Sequence, residues 1–138
     1  MNDAIINKIQ SIQRCVERAR EIYYKKQQNF LSDYDAQDAS VLNIMRSCEL
    51  AIDLANYMIK SDRLGIPTSS ADSFDLLAQK NIISPELAAK LKKMVGFRNI
   101  SVHEYQKMNY EIVISVIKNN LDDLLAFTDK IMEISGKT

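Results

Sequence analysis

The sequence predicts an all-α fold, an up-and-down bundle of four long helices and one short helix. Three observations carry this. Apolar residues recur at spacings of three and four over long stretches, which is the period of one helix face. Gly and Pro together number only five, too few for the tight turns of an all-β domain. Apolar residues make up 46% of the 138 and charged residues 26%, a composition that fills one core and excludes disorder. A single domain over residues 1–138 is expected.

The elements follow in order. The first helix reads from about Asp3 to Tyr24, with Ile5, Ile9, Ile12, Val16, Ala19 and Tyr23 on one stripe and Asn2 or Asp3 as cap. Lys25 to Asp33 is polar and breaks the period. The second helix reads from about Ala36 to Lys60, with Asp35 as cap candidate and Asp38 favourable in the first turn. Val41, Ile44, Cys48, Ala51, Ala55 and Met58 form its stripe, and Leu42, Met45, Ile52 and Ile59 widen it. So broad an apolar face predicts a central helix, covered on two sides.

Ser61 to Ser69 is a connection, since Pro67 in Leu64-Gly65-Ile66-Pro67 cannot continue a helix. A short helix follows from about Ser70 to Lys80, with Phe74, Leu77 and Ala78 inward. The fourth helix has the clearest start: Ser84 as cap, Pro85 in the first turn, Glu86 against the dipole. Its stripe is Leu87, Leu91, Met94 and Val95. The fifth runs from Asn109 to about Ile134, with Ile112, Val116, Leu121, Leu124, Phe127 and Ile131 inside.

Eighteen basic and eighteen acidic residues give zero net charge, which excludes gripping nucleic acid with the whole surface. The charges are nevertheless segregated. Residues 1–27 sum to +3, 28–79 to −5, 80–107 to +4 and the remainder to −2. One His and two Cys leave little room for a metal site, and none is expected. Cys15 and Cys48 stand among apolar helical positions, as buried free thiols or, alternatively, a disulfide. No apolar run approaches the roughly 18 residues of a membrane span. Met1-Asn2-Asp3 does not begin a secretory signal, so a soluble cytoplasmic protein is expected.

Four groups stand out as chemistry. Arg98 continues the stripe Leu87, Leu91, Met94, so a guanidinium occupies an apolar-face position. Burying it is costly unless it is paired or set at a wet cleft. It can snorkel out at the helix end, or pair with Glu49 or Asp53, which lie at i and i+4 on the second helix and otherwise form a solvated face. Lys90, Lys92 and Lys93 read as a solvated face too. His103, the only His, follows Arg98 by five residues. On a continuous helix that offset turns the two side chains roughly 140° apart. Asn99-Ile100-Ser101-Val102 must therefore break or bend if Arg98 and His103 are to cooperate within one chain. Tyr105 reads, on its own, as a surface aromatic.

Arg98-Asn99-Ile100-Ser101-Val102-His103 fits the Arg, polar residue, spacer, His motif of HEPN domains. With Glu104-Tyr105 it becomes Arg, four residues, His, one residue, Tyr. In that form the chain resembles the HepT-like toxins of HepT–MntA toxin–antitoxin systems. Leu64 to Pro67 with Ser69-Ser70, Phe74 to Ala78, and Met94-Val95-Gly96-Phe97 are similar as well, so the resemblance spans nearly the whole chain.

The resemblance implies a metal-independent endoribonuclease with no cofactor, whose composite Arg98/His103 site lies at a homodimer interface. Attack of a ribose 2′-hydroxyl on the adjacent phosphate needs a base, an acid and positive charge. Imidazole can be either of the first two, and a guanidinium fork can hold two phosphate oxygens. Asn99 would orient the phosphate, and Glu49 and Asp53 would stand behind Arg98. Tyr105 would accept AMP from a partner MntA-like nucleotidyltransferase antitoxin, blocking RNA by charge and bulk. The alternative is a non-catalytic helical subunit that binds nucleotide or supports a nucleotidyltransferase.

Overall fold

The structure, a computed structural model, describes residues 2–136; Met1, Lys137 and Thr138 lie outside the described residues. No strand occurs among the described residues. Helix α1 spans Asp3–Lys26, α2 Tyr34–Ser61, α3 Ser70–Gln79 and α4 Pro85–His103. A fifth rod follows as α5 (Tyr110–Ser115), a π turn (Val116–Asn120) and α6 (Leu121–Ser135). Helix α2 packs against α1, α3, α4 and α6, the central place its broad apolar face predicts.

Local chemistry sets most boundaries. Asn2 Oδ1 accepts from the Ile5 amide at 2.9 Å and Ser84 Oγ from the Leu87 amide at 3.1 Å, so both caps stand as expected. The cap of α2 is Asp33 rather than Asp35, because Asp33 is the last extended residue and its carboxylate accepts from Ala36 at 3.0 Å. Between α2 and α3 the chain turns at Gly65, whose φ of 140° disfavours any side chain.

The polar stretch after α1 is more ordered than its period implies. Helix α1 continues to Lys26, and Gln27–Ser32 forms a 3-10 turn. That turn drives Phe30 into the core at 0% exposure, edge-on to Tyr23 at 5.3 Å. One aromatic residue in a polar run carries no periodic signal, and tertiary packing decides its place.

Two inward assignments, Leu42 and Ile112, are corrected, and Leu87 packs at the edge of the core. Leu42 is exposed, because it lies on the same face of α2 as the exposed Arg46, Glu49 and Asp53. Leu87 is only half-buried and Ala88 takes the inner place, where α3 approaches α4 closely. Ile112 is 54% exposed and Val113 is buried in its stead. The π turn explains the last. Val116 and Leu121 are both buried but five residues apart, and the Leu121 amide donates to the Val116 carbonyl, an i to i+5 bond. One wide turn absorbs one extra residue, so an α-period extrapolated through it loses phase.

The core beneath is closely interlocked. Phe74 and Phe127 meet edge to face at 5.5 Å, with Leu54, Leu77, Leu91, Leu121 and Leu124 fully buried. No helix among the described residues is long and apolar enough to cross a membrane.

Candidate functional site

Helix α4 carries Arg98 out of the core to the exposed edge of α2. Leu91 and Met94 are buried on its stripe, and Arg98, next in phase, is half-buried. Its Nη2 donates to Ser70 Oγ, in the first turn of α3, at 3.2 Å. The guanidinium lines a polar cleft of about 360 Å³ with Glu49, Asp53, Asn56 and Ser70. Asn56 is fixed in turn, its Oδ1 accepting from Ser73 Oγ at 2.6 Å.

The pairing expected between Arg98 and Glu49 or Asp53 is half met. They share the cleft, but among the described residues no carboxylate lies within 4.0 Å of Arg98. Arg98 Nε is buried and has no hydrogen-bond partner. Behind this wall sits the Cys48 thiol, which burial pushes up to about 12 despite the opposing pull of Arg98. Cys15 and Cys48 are both free and buried.

His103 is the last residue of α4 and is exposed; Asn99 beside Arg98 is exposed too. The helix does not break between Arg98 and His103. Ser101 Oγ donates to the Phe97 carbonyl at 2.9 Å and the Glu104 amide to Ile100 at 2.8 Å, so the ladder runs to its end. Buried Phe97 and Ser101 hold the last turns against the bundle. The bend required for cooperation within one chain is therefore absent, and the two side chains diverge by roughly 140°.

Tyr105 opens the short 3-10 turn after α4 and is 40% exposed. Its hydroxyl donates to the carboxylate of Asp38 on α2. Partial burial, then the hydrogen bonds with Asp38 and Tyr110, push the phenol well above its ordinary value. Tyr105 thus stands pinned to α2 two residues from His103. Lys92 faces solvent and pairs with Asp75 at 3.1 Å, as a solvated face should.

Residues 12–131 match the family model Ribonuclease HepT-like. The chain belongs to this family. It is 50% identical over 131 residues to the mRNA nuclease HepT of Shewanella oneidensis, a match over 95% of this chain and 98% of that protein. Among solved structures, the fold is similar to a tri-AMPylated Shewanella oneidensis HEPN toxin in complex with MNT antitoxin. The TM-score is 0.91 at 48% identity, over 96% of this chain and 99% of that one. A toxin–antitoxin crystal structure with AMP-PNP matches at TM-score 0.91 and 47% identity, over the same shares. The resemblance read from the Arg98–Tyr105 motif is thereby met at the level of family and fold.

Sequence reasoning gave Ser70 and Asn56 no role at the Arg98 site, and it missed the tie between Asp38 and Tyr105. A weak signal existed for Ser70: of the pair Ser69-Ser70, Ser69 caps α3 through its bond with Asp72, which leaves the second hydroxyl free. The partners of Tyr105 and Arg98 lie 67 and 28 residues away, beyond any local pattern.

Proposed function

We propose that this protein is the ribonuclease toxin of a toxin–antitoxin pair, acting in the cytoplasm on RNA, and that two copies build its active site. Arg98 holds the scissile phosphate through two oxygens. His103 of one copy takes the proton of the ribose 2′-hydroxyl as its oxygen attacks phosphorus. The second copy's His103 gives a proton to the leaving 5′-oxygen. The P–O5′ bond breaks, leaving a 2′,3′-cyclic phosphate and a 5′-hydroxyl. The step uses no metal ion or cofactor, and Asn99 orients the phosphate.

The observation that carries the reading is the Arg98 fork. A half-buried guanidinium lining a polar cleft, with no carboxylate within 4.0 Å of it among the described residues, suits an oxyanion. The divergence of Arg98 and His103 along an unbroken α4 favours a site shared between two chains over one built within a chain. Exposed Ile100, Val102 and Ile112 flank the motif with the apolar surface that a second copy would cover.

Tyr105 is the acceptor of AMP from an MntA-like nucleotidyltransferase. Transfer forms a bond from the phenolic oxygen to the α-phosphorus of ATP, breaks the bond to the β-phosphate and releases pyrophosphate, while the phenolic proton leaves toward the Asp38 carboxylate that accepts its hydrogen bond. The added phosphate and purine then stand beside His103 and repel RNA. The test is cleavage of a defined RNA in chelator by wild type, Arg98→Ala and His103→Ala. Cleavage by the wild type alone is expected. Cleavage by all three, or a strict need for a divalent metal, overturns the reading.

A further inference from the structure

A second cleft, of about 450 Å³, lies between α1 and α2. Arg14 and Arg18 from α1 and Arg46 from α2 line it, with Asn43. It shares Glu49 and Asp53 with the Arg98 cleft, so the two adjoin across the outer face of α2. The chain has six Arg in all, and four of them line these two adjoining clefts.

No ion pair among the described residues holds the first three, although Glu49 and Asp53 share their cleft. Arg14 and Arg18 stand at i and i+4, where like charges repel. Among the described residues no carboxylate lies within 4.0 Å of Arg14, Arg18 or Arg46. Arg14 and Arg46 stand close enough together for both to act on the Cys15 thiol, which burial raises and their charges lower. By contrast Arg20, on the same helix, is paired with Asp122. Three guanidiniums lining one cleft without an ion pair, against two carboxylates, leave a net positive surface that suits an anion, and Arg is the side chain whose fork fits phosphate. Arg14 and Arg18 are separated by one helical turn, about 6 Å along the axis, comparable to the step between successive phosphates of a nucleic-acid strand.

We infer that Arg14, Arg18 and Arg46 form a phosphate track that holds the RNA strand flanking the bond at Arg98. The track explains how a chain with zero net charge holds RNA: on this one surface four arginines outnumber the two carboxylates, Glu49 and Asp53, that share it. Glu49 and Asp53 stand between the track and Arg98. They repel a backbone that strays toward them and accept from base amino groups, which keeps the strand's phosphates on the guanidiniums at either side. The inference rests on RNA being the substrate.

The test measures binding of a labelled single-stranded 2′-O-methyl RNA, which lacks the attacking hydroxyl, across a salt series. It compares wild type with the triple variant Arg14→Gln, Arg18→Gln, Arg46→Gln. All three positions are exposed, so the variant should melt no lower than wild type. The expected result is about tenfold weaker binding at low salt. The slope of log affinity against log salt falls by about 2, near 0.7 for each lost single-strand phosphate contact. An unchanged slope in a protein that still cleaves RNA overturns the track alone. So does loss of binding to the partner nucleotidyltransferase with RNA binding intact. Wild-type protein that neither binds nor cleaves RNA overturns the ribonuclease reading and the track together.

Discussion

The Tyr105 hydroxyl donates to the Asp38 carboxylate, joining the turn after α4 to the first turns of α2 across 67 residues. The bond presents the phenol in one place beside His103. Tyr105→Phe removes the donor and the proposed AMP acceptor while leaving the Arg98 cleft intact. The variant should cleave RNA as wild type does and resist neutralisation by the partner nucleotidyltransferase with ATP. Normal neutralisation would remove Tyr105 as the acceptor.

The same bond predicts a pH effect. The phenol is neutral when protonated, and the folded state holds that proton more tightly than the unfolded chain does. Stability from Tyr105 is therefore complete below its ordinary value of 10.0 and drains away as pH rises toward the raised folded value. At neutral pH the bond contributes at most about 1 kcal/mol, since the site is partly exposed. Thermal melts of wild type and Tyr105→Phe should differ slightly near neutral pH and converge above about pH 10. A gap that widens with pH would contradict the assignment.

Arg98→Lys keeps a positive charge but cannot hold two phosphate oxygens while reaching Ser70. RNA cleavage should fall by ~100-fold, about 2.7 kcal/mol in barrier, while the melting temperature barely moves. Near-wild-type turnover would show that charge alone suffices.

Cys48 and Cys15 should resist thiol reagents in the folded protein, because burial raises both above the ordinary thiol value, Cys48 to about 12. Labelling at about pH 8 should modify neither thiol until the protein is unfolded. Rapid labelling of native Cys48 would mean that the wall behind Arg98 opens.

The π turn makes a stability prediction. Deleting exposed Asn119 removes the extra residue and restores a spacing of four between Val116 and Leu121, so the buried stripe survives. Leu121→Ala instead empties a fully buried site and should cost about 2–5 kcal/mol. Chemical denaturation should place the deletion nearer wild type than Leu121→Ala. The reverse order would mean that the wide turn itself is needed.

Where a boundary depends on local chemistry, the sequence is readable. Ser84-Pro85 and Asn109 announce their helices because capping involves residues only two or three positions apart. The stripe of α2 is legible for the same reason, since helical period is a local rule. Ile112 misleads because the π turn changes the period after it, and Phe30 because only the finished core has a place for it. The Arg98-to-Tyr105 motif is legible as a motif and as a family. What it touches is not, since Ser70 and Asp38 arrive through the packing of α3 and α2. The pair Arg14 and Arg18 is visible as a spacing of four, yet Arg46 joins it only when α1 and α2 pair.

The central claim is that Arg98 and His103 act across two chains. Two mixed dimers test it, each with one intact Arg98 and one intact His103. In the first, Arg98→Ala pairs with His103→Ala, so the surviving groups lie on different chains. In the second, wild type pairs with the double variant, so they lie on the same chain. Differently tagged subunits allow each mixed dimer to be purified and its RNA cleavage rate measured. Both lack a second His103, so that loss cancels. The account predicts faster cleavage by the first dimer. Equal rates, or faster cleavage by the second, would contradict it.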